Sequence, residues 1–145
     1  MIDTNNIEQV RKEILKLKKE NKEVIVLAKD DDFNKKIFEM KNVDIVVGLE
    51  FDRRDKLKQR NSGMNEIIAK LAKNNNIKIG IDVNRIQKLN KLDKGRVLSR
   101  IIQNIRLCRR TGANIILLNR DSRTASSFIL SLGGDTKQAS LYNKL

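Results

Sequence analysis

The chain has 145 residues, with 31 Lys and Arg against 18 Asp and Glu, a formal net charge of +13, no His, Pro or Trp, and one Cys. This length predicts a single domain over residues 1–145 and is too short for a complete eight-stranded (β/α) barrel, which takes roughly 200 residues or more. The absence of histidine excludes Ser-His-Asp and Cys-His nucleophiles and His-ligated zinc or haem. One cysteine cannot form an internal disulfide or a Cys-only metal site.

Strands and helices alternate along the chain. The predicted strands are short apolar runs at residues 24–28, 45–49, 77–83 and 115–118. The predicted helices cover residues 6–20, 30–40, 62 to the asparagine run 74–76, 93–110 and 128–132, with glycines at 112 and 133–134 ending the last two. Continuous apolar strands that alternate with helices indicate parallel pairing. We therefore expect an α/β fold, an open sheet or partial TIM-like barrel of about four strands and five helices.

No segment is apolar enough for a membrane span, because no apolar or glycine run is longer than that of residues 45–49 and a span needs roughly 20 residues. Residues 1–20 also lack the apolar core of a signal peptide. We expect a cytoplasmic protein that does not bind membranes and whose cysteine is reduced.

The positive charge is concentrated in the second two-thirds of the chain. Residues 1–50 carry a net charge of −1, and residues 51–145 carry +14. This concentration favours a nucleic-acid partner, with an acidic protein or an anionic membrane as alternatives. A membrane-binding segment would usually be a basic amphipathic helix with Trp or Phe on its apolar side, and none is evident.

The first basic segment is residues 51–61, which follow the second predicted strand. Its charged residues are Arg53, Arg54, Lys56, Lys58 and Arg60 against Asp52 and Asp55. The segment leaves the carboxyl edge of the sheet, where ligands of parallel α/β proteins usually bind. It leads into Ser62-Gly63 and a predicted helix start, whose free N–H groups suit a phosphate. We interpret it as an RNA-phosphate contact loop; a solvated loop or a protein-docking loop are the alternatives.

The second basic segment is the helix after Asp93. At 100° per residue, one arc is apolar and holds Val97, Leu98, Ile101, Ile102, Ile105 and Cys108. The opposite arc holds Arg96, Arg100, Gln103, Arg106 and Arg110, and residues 94–120 contain no acid. This arginine stripe suits nucleic acid or simply faces solvent. Arg109 lies near the edge of the apolar arc with no assigned role, and Cys108 is expected in the core.

Aromatic residues make up 3% of the chain, so base stacking on aromatic platforms is not expected. Contact with the phosphates and 2′-hydroxyls of a folded RNA fits better. A carboxylate- and Mg²⁺-dependent nuclease is a weaker alternative, with candidate ligands Glu50, Asp52, Asp55 and Asp82.

Two blocks, residues 60–83 and 95–118, carry a family resemblance. The matching residues are Arg60, Asn61, Ser62, Gly63, Asn65, Lys70 and Leu71 in the first block, and Arg96, Leu98, Asn104 and Leu107 in the second. With a tail at residues 128–142, the likeness covers roughly residues 24–142. The chain resembles ribonuclease P protein component 3, the thirty-kilodalton-subunit family of archaeal and eukaryotic ribonuclease P.

The resemblance implies a subunit of an endoribonuclease that removes the 5′ leader of precursor tRNA. Such a subunit binds the catalytic RNA, pairs with ribonuclease P protein component 2, and has no catalytic residue, metal or cofactor of its own; Mg²⁺ belongs to the RNA of the holoenzyme. The expected RNA-binding residues are Arg53, Arg54, Lys56, Arg60, Asn61, Arg96, Arg100, Arg106 and Arg110. The alternatives are an RNA-binding structural module unrelated to tRNA processing and the nuclease named above.

The chain departs from the family pattern in two ways. Because it matches only the later part of the family's barrel, we expect an amino-terminally shortened member. Its open flank would be covered by self-association, by a separate amino-terminal piece or by the partner protein. The turn at residues 119–122 reads Asn-Arg-Asp-Ser, so we assign no family role to it.

Overall fold

The computed structural model describes residues 1–140, which form seven helices and one four-stranded sheet. In chain order the elements are α1 (Ile7–Lys19), β1 (Ile25–Leu27), α2 (Asp31–Phe38), β2 (Ile45–Val47), α3 (Glu66–Asn74), β3 (Lys78–Ile81), α4 (Val83–Gln87), α5 (Lys91–Thr111), β4 (Ile115–Leu117), α6 (Ser122–Ser131) and α7 (Thr136–Ser140). The last five residues of the chain, including the end of the tail at 128–142, lie outside the described residues.

All strand pairs are parallel and the strand order is β1-β2-β3-β4. Each connection between neighbouring strands passes through a helix, as in part of a (β/α) barrel. The predicted α/β class with an open or partial TIM-like sheet is therefore confirmed.

The sheet centre consists of buried aliphatic side chains in register. Val26, Val46, Ile79 and Ile115 are paired across the four strands, and each is 0–1% exposed. Burying one such side chain stabilises the fold by about 1.5–3 kcal/mol. Strands β2 and β4 are buried at every position, which explains why their sequences are continuous rather than alternating apolar runs.

Asparagine and aspartate side chains cap the starts of six helices. In α1 to α6, the cap side chain accepts hydrogen bonds from backbone N–H groups of the first turn. The caps are Asn6, Asp30, Asn65, Asp82, Asn90 and Asp121. Each is worth about 1 kcal/mol. Left-handed residues follow helix ends at the predicted places, Asn76 (φ 59°), Gly112 (φ 80°) and Gly133 (φ 88°).

Several predicted boundaries were wrong. Helix α3 begins at Glu66 after the cap Asn65, because Ser62 and Gly63 form a turn between the preceding loop and the helix. The third strand ends at Ile81, since Asp82 caps the short helix α4, which was not predicted. Helix α6, which was predicted to contain the residues from 128 onward, begins at Ser122, and α7 was not predicted.

One edge of the sheet carries an additional short segment. Ile2 forms a parallel bridge with Val26: its N–H donates to Ile25 O at 2.7 Å, and its carbonyl accepts from Leu27 N at 2.9 Å. Ile2 is buried in the core. Among the described residues, no helix is long and apolar enough to cross a lipid bilayer.

Candidate nucleic-acid interface

The carboxyl edge of the sheet carries residues 51–61, here called the basic loop. The loop leaves β2 through Leu49 and Glu50 and returns to the cap of α3 at Asn65. Apart from a backbone bridge between Lys56 and Gln59, it has no regular structure, as predicted. The loop therefore projects from the edge where parallel sheets usually bind ligands.

Several grooves lie along the basic loop, and helix α5 contributes to two of them. The loop–α3 groove has a volume of about 630 Å³, and the loop–α5 groove about 510 Å³. The first combines Lys56, Arg60 and Asn61 with Gln103 and Leu107 of α5. The loop–α5 groove is lined by residues of both segments, among them Arg53, Arg54, Asp55, Arg96, Val97 and Arg100. The two basic segments predicted from the sequence are thus brought together in space.

Arg53 is an internal clamp. Its side chain is 7% exposed, Nε donates to Leu49 O at 2.8 Å, and a terminal nitrogen donates to Lys29 O at 2.8 Å. The other terminal nitrogen forms an ion pair with Asp31 of α2. The guanidinium is therefore bonded to residues just after β2, to the residues after β1 and to helix α2, and it faces protein rather than solvent.

Arg100 is a second clamp, and its predicted position on the exposed face of α5 was wrong. Its side chain is 7% exposed, and its terminal nitrogens donate to Glu50 O at 3.3 Å and Arg53 O at 3.0 Å. One of them also pairs with Asp55 at 3.2 Å, while the buried Nε lacks a hydrogen-bond partner among the described residues. The guanidinium ties α5 to the base of the basic loop.

The buried face of α5 lies further round the helix than its apolar residues indicate. The buried positions are Val97, Arg100, Ile101, Asn104, Ile105 and Cys108. At 100° per residue they span about 140°, including two polar side chains. Asn104 lies one turn after Arg100 and donates to Ser62 O at 3.1 Å, so α5 bonds to both ends of the loop. Cys108 is in the core as predicted, and burial raises the pKa of its thiol to about 12.

Residues 61–63, which belong to the first block of the family resemblance, form a tight turn. Asn61 Oδ1 accepts the N–H of Gly63 at 3.0 Å, and the Asn61 N–H donates to Asp55 at 2.8 Å. That bond and the Arg100 guanidinium hold the pKa of Asp55 below its ordinary value. Gly63 has φ +75°, and a Cβ there would lie 1.9 Å from Leu49 O. Asn61 is therefore half-buried in the turn, and Gly63 permits the close approach of two backbones.

The remaining predicted cations are exposed. They are Arg54, Lys56 and Arg60 of the loop and Arg96, Arg106 and Arg110 of α5. Arg96 pairs with Asp93 at 3.2 Å, and Arg110 pairs with Glu66 at 3.0 Å. Such exposed pairs contribute little to stability and can exchange for phosphate contacts. Arg106 and Arg110 line neither groove.

The candidate nuclease carboxylates do not form a metal-binding cluster. Within the described residues, no group of three or more His, Cys, Asp or Glu side chains is placed to hold a metal ion. Asp82 caps α4, and Asp52 pairs with Arg85 at 2.8 Å. Glu50 is buried; this desolvation raises its pKa to about 7, with a nearby Asp82 adding to the effect and Arg85 and Arg53 opposing it.

Sequence reasoning missed Arg85 and Arg120 at the same edge. The Arg85 guanidinium lies 3.9 Å from the centre of the Phe51 ring, besides its ion pair with Asp52. Arg120, after β4, donates to Asn84 Oδ1 at 2.7 Å. Arg85 lies in α4, shortly after the end of β3, and Arg120 lies in the turn after β4. Their positions close behind strand ends were the signal available in the sequence.

Known proteins resemble this chain in sequence and in fold. Two curated relatives, both ribonuclease P protein component 3 of Methanococcus maripaludis, are 23% (strain C7) and 24% (strain C6) identical over 116 residues. These matches cover 80% of this chain and 47% of each relative, so the chain spans about half the length of the curated relatives it matches. No protein-family model matches the chain.

The fold is similar to that of a chain in a cryo-EM structure of archaeal ribonuclease P with mature tRNA. The TM-score is 0.79 at 17% sequence identity, covering 97% of this chain and 62% of that chain. The resemblance to ribonuclease P protein component 3 predicted from residues 60–83 and 95–118 is thereby confirmed.

Proposed function

We propose that this chain is a protein subunit of ribonuclease P that binds and stabilises the catalytic RNA during removal of the 5′ leader from precursor tRNA. One observation supports this above the others: a chain with the fold of an archaeal ribonuclease P protein presents exposed cations from a loop and a helix along two adjoining grooves. In this proposal the chain belongs to an endoribonuclease but contributes no catalytic residue.

The exposed cations neutralise RNA phosphates in this mechanism. Each contact releases counterions and makes binding weaker at higher salt. The proposed contacts are Arg54, Lys56, Arg60, Arg96, Arg106 and Arg110. Arg53, Arg100 and Asn61 act differently: their polar groups are bonded within the protein, so they shape the loop that presents the other side chains.

The proposed partners are ribonuclease P RNA, ribonuclease P protein component 2 and, through the holoenzyme, precursor tRNA. The proposed place of action is the cytoplasm. Mg²⁺ would act on the RNA of the holoenzyme. The carboxylates at the carboxyl edge of the sheet have other roles: Asp82 caps α4, Asp52 and Asp55 form ion pairs, and Glu50 is buried.

Reconstitution tests the proposal. The chain, protein component 2 and the ribonuclease P RNA of the same organism are combined, and precursor-tRNA cleavage is measured at limiting Mg²⁺. We expect the complete mixture to cleave faster than the RNA alone, because added positive charge stabilises the compact RNA. An unchanged rate would refute the subunit assignment and leave an RNA-binding module unrelated to tRNA processing.

Matched double variants locate the effect. Arg54→Ala with Arg60→Ala removes two exposed charges from the basic loop, and Lys12→Ala with Lys16→Ala removes two from the exposed side of α1. We expect only the loop variant to lose stimulation. Cleavage by the purified chain with Mg²⁺ alone, abolished by Asp82→Asn, would instead support the nuclease.

A further inference from the structure

The tip of the basic loop presents a leucine to solvent. Leu57 is 101% exposed, whereas the other large exposed hydrophobic side chains among the described residues are 45–72% exposed. The turn that carries it is closed by two backbone bonds: Lys56 N donates to Gln59 O at 2.9 Å, and Gln59 N donates to Lys56 O at 3.2 Å. The leucine side chain is thus held outward on a defined turn.

Leu57 contributes nothing to the packed core. It is absent from the hydrophobic cluster that joins the sheet and helices, and it lines neither groove. Its hydrocarbon surface is removed from water, which is favourable, only when another molecule covers it. Substitution at this position should therefore leave folding unchanged, which makes the residue accessible to experiment.

Cations surround this leucine. Lys56 and Lys58 flank it directly, Arg60 follows within three residues, and all three are exposed. A complementary surface must offer an apolar patch within a field of negative charge. A nucleobase between backbone phosphates has that chemistry. An anionic membrane would be bound by a broad apolar helix face, whereas this turn offers one side chain.

The chemistry of leucine further restricts the nucleic acid. An isobutyl group has no donor or acceptor with which to read base edges, so it requires the flat face of a base. In an A-form duplex those faces are stacked, and they become accessible in loops, bulges and ends. We propose that Leu57 packs against the face of an unpaired nucleobase while Lys56, Lys58 and Arg60 contact the adjoining phosphates.

This inference rests on the proposed function and names the feature of the RNA that the loop tip contacts. It also adds an apolar contact to an interface otherwise expected to consist of phosphate and hydroxyl contacts. The tip would select a site in the folded RNA, whereas the cations supply attraction that is independent of sequence.

The test uses the full chain and three RNA probes. They are the ribonuclease P RNA of the same organism and two synthetic hairpins, identical except that one has a single bulged adenosine. The variants are Leu57→Ser, the control Leu15→Ser at an exposed leucine of α1, and the Arg54→Ala, Arg60→Ala double variant. Affinity is measured at several salt concentrations, and thermal unfolding checks that each variant is folded.

We expect the wild-type chain to bind the bulged hairpin about three- to tenfold more tightly than the plain one. Leu57→Ser should abolish this preference and weaken ribonuclease P RNA binding by a similar factor, with the salt slope unchanged because no counterion is released. Leu15→Ser should behave as the wild type. The double variant should weaken binding to both hairpins and lower the slope.

Three results would overturn the contact: no preference of the wild type for the bulge, an unchanged preference in Leu57→Ser, or an equal loss in Leu15→Ser. If Leu57→Ser has no effect while the double variant weakens binding, the contact is wrong and the proposed function stands. If the wild-type chain does not bind ribonuclease P RNA, the proposed function fails and this contact fails with it.

Discussion

At the base of the basic loop, the side chains of Arg53 and Arg100 are buried, and each guanidinium bonds to two backbone carbonyls and one carboxylate. On its outer side, Arg54 and Arg60 are exposed, and no ion pair involves either of them within the described residues. Neighbouring residues of the same type thus have opposite surroundings. A guanidinium group suits both the buried and the exposed position, because its several donors can bond to acceptors of the protein or to the oxygens of a phosphate.

The difference separates two contributions to the proposed RNA binding. The outer arginines supply charge, and the buried ones hold the loop in one conformation so that binding does not have to order it. Variants at the base should therefore change stability first and RNA affinity second. Variants on the outer side should change affinity and its salt dependence and leave stability alone.

The largest effect is expected at Gly63, where the base of the loop crosses the end of β2. Gly63→Ala would place a Cβ 1.9 Å from Leu49 O at φ +75°, so the backbones must separate. We expect a loss of about 3 kcal/mol or more in the free energy of unfolding, measured with denaturant.

Gly95→Ala is the matched control. Gly95 lies in helix α5, and a Cβ at this position would meet nothing within 4 Å, so alanine should stabilise by about 0.5–1 kcal/mol. Equal effects of the two substitutions would contradict the close approach at Gly63.

Arg100→Lys should have the next largest effect. Lysine keeps the charge but cannot bond to Glu50 O, Arg53 O and Asp55 together, so buried carbonyls lose donors. We expect a loss of about 2 kcal/mol in unfolding free energy and faster proteolysis within residues 51–61. Arg106→Lys, at an exposed site of the same helix, should change neither quantity. A stable, protease-resistant Arg100→Lys chain would show that the clamp is unnecessary.

Glu50 allows an effect at the base of the loop to be observed through pH. Its folded-state pKa is about 7, against 4.5 for an ordinary glutamate, so the folded protein holds a proton that the unfolded chain releases. This stabilisation is complete below pH 4.5 and is lost as pH rises through 7. Glu50→Gln should match the wild type at pH 4 and exceed it at pH 9, by at most on the order of 3 kcal/mol.

Asp44 gives a control of opposite sign. Partial burial raises its pKa, but bonds from Lys18 and from the Val24 N–H outweigh this and leave the pKa lowered. Its stabilisation is present above the ordinary aspartate pKa and is lost as pH falls through the folded-state value, so Asp44→Asn should reduce stability most at neutral pH. An Asp44→Asn profile parallel to that of Glu50→Gln would refute both assignments.

The sequence predicted the sheet well, because apolar runs such as residues 45–49 have one stable place, buried between layers. It also located the loop and the termination of α5 at Gly112, since both depend on local composition. It placed Arg100 wrongly because helical periodicity counts arginine as polar, and its bonds reach residues about fifty positions away in the chain. The sequence wrongly predicted that Ser62-Gly63 begins a helix. The close approach of Gly63 to Leu49 is set by the fold and leaves no local pattern in the sequence.

The salt dependence of binding to ribonuclease P RNA tests the central claim most directly. Wild type, Arg54→Ala with Arg60→Ala, and Arg100→Lys are titrated at several salt concentrations. We predict that the outer double variant weakens binding on the order of tenfold and lowers the salt slope by about 1.4–1.8, whereas Arg100→Lys weakens binding with the slope unchanged. An unchanged slope in the double variant, or a reduced slope in Arg100→Lys, would contradict the division between outer contacts and buried clamps.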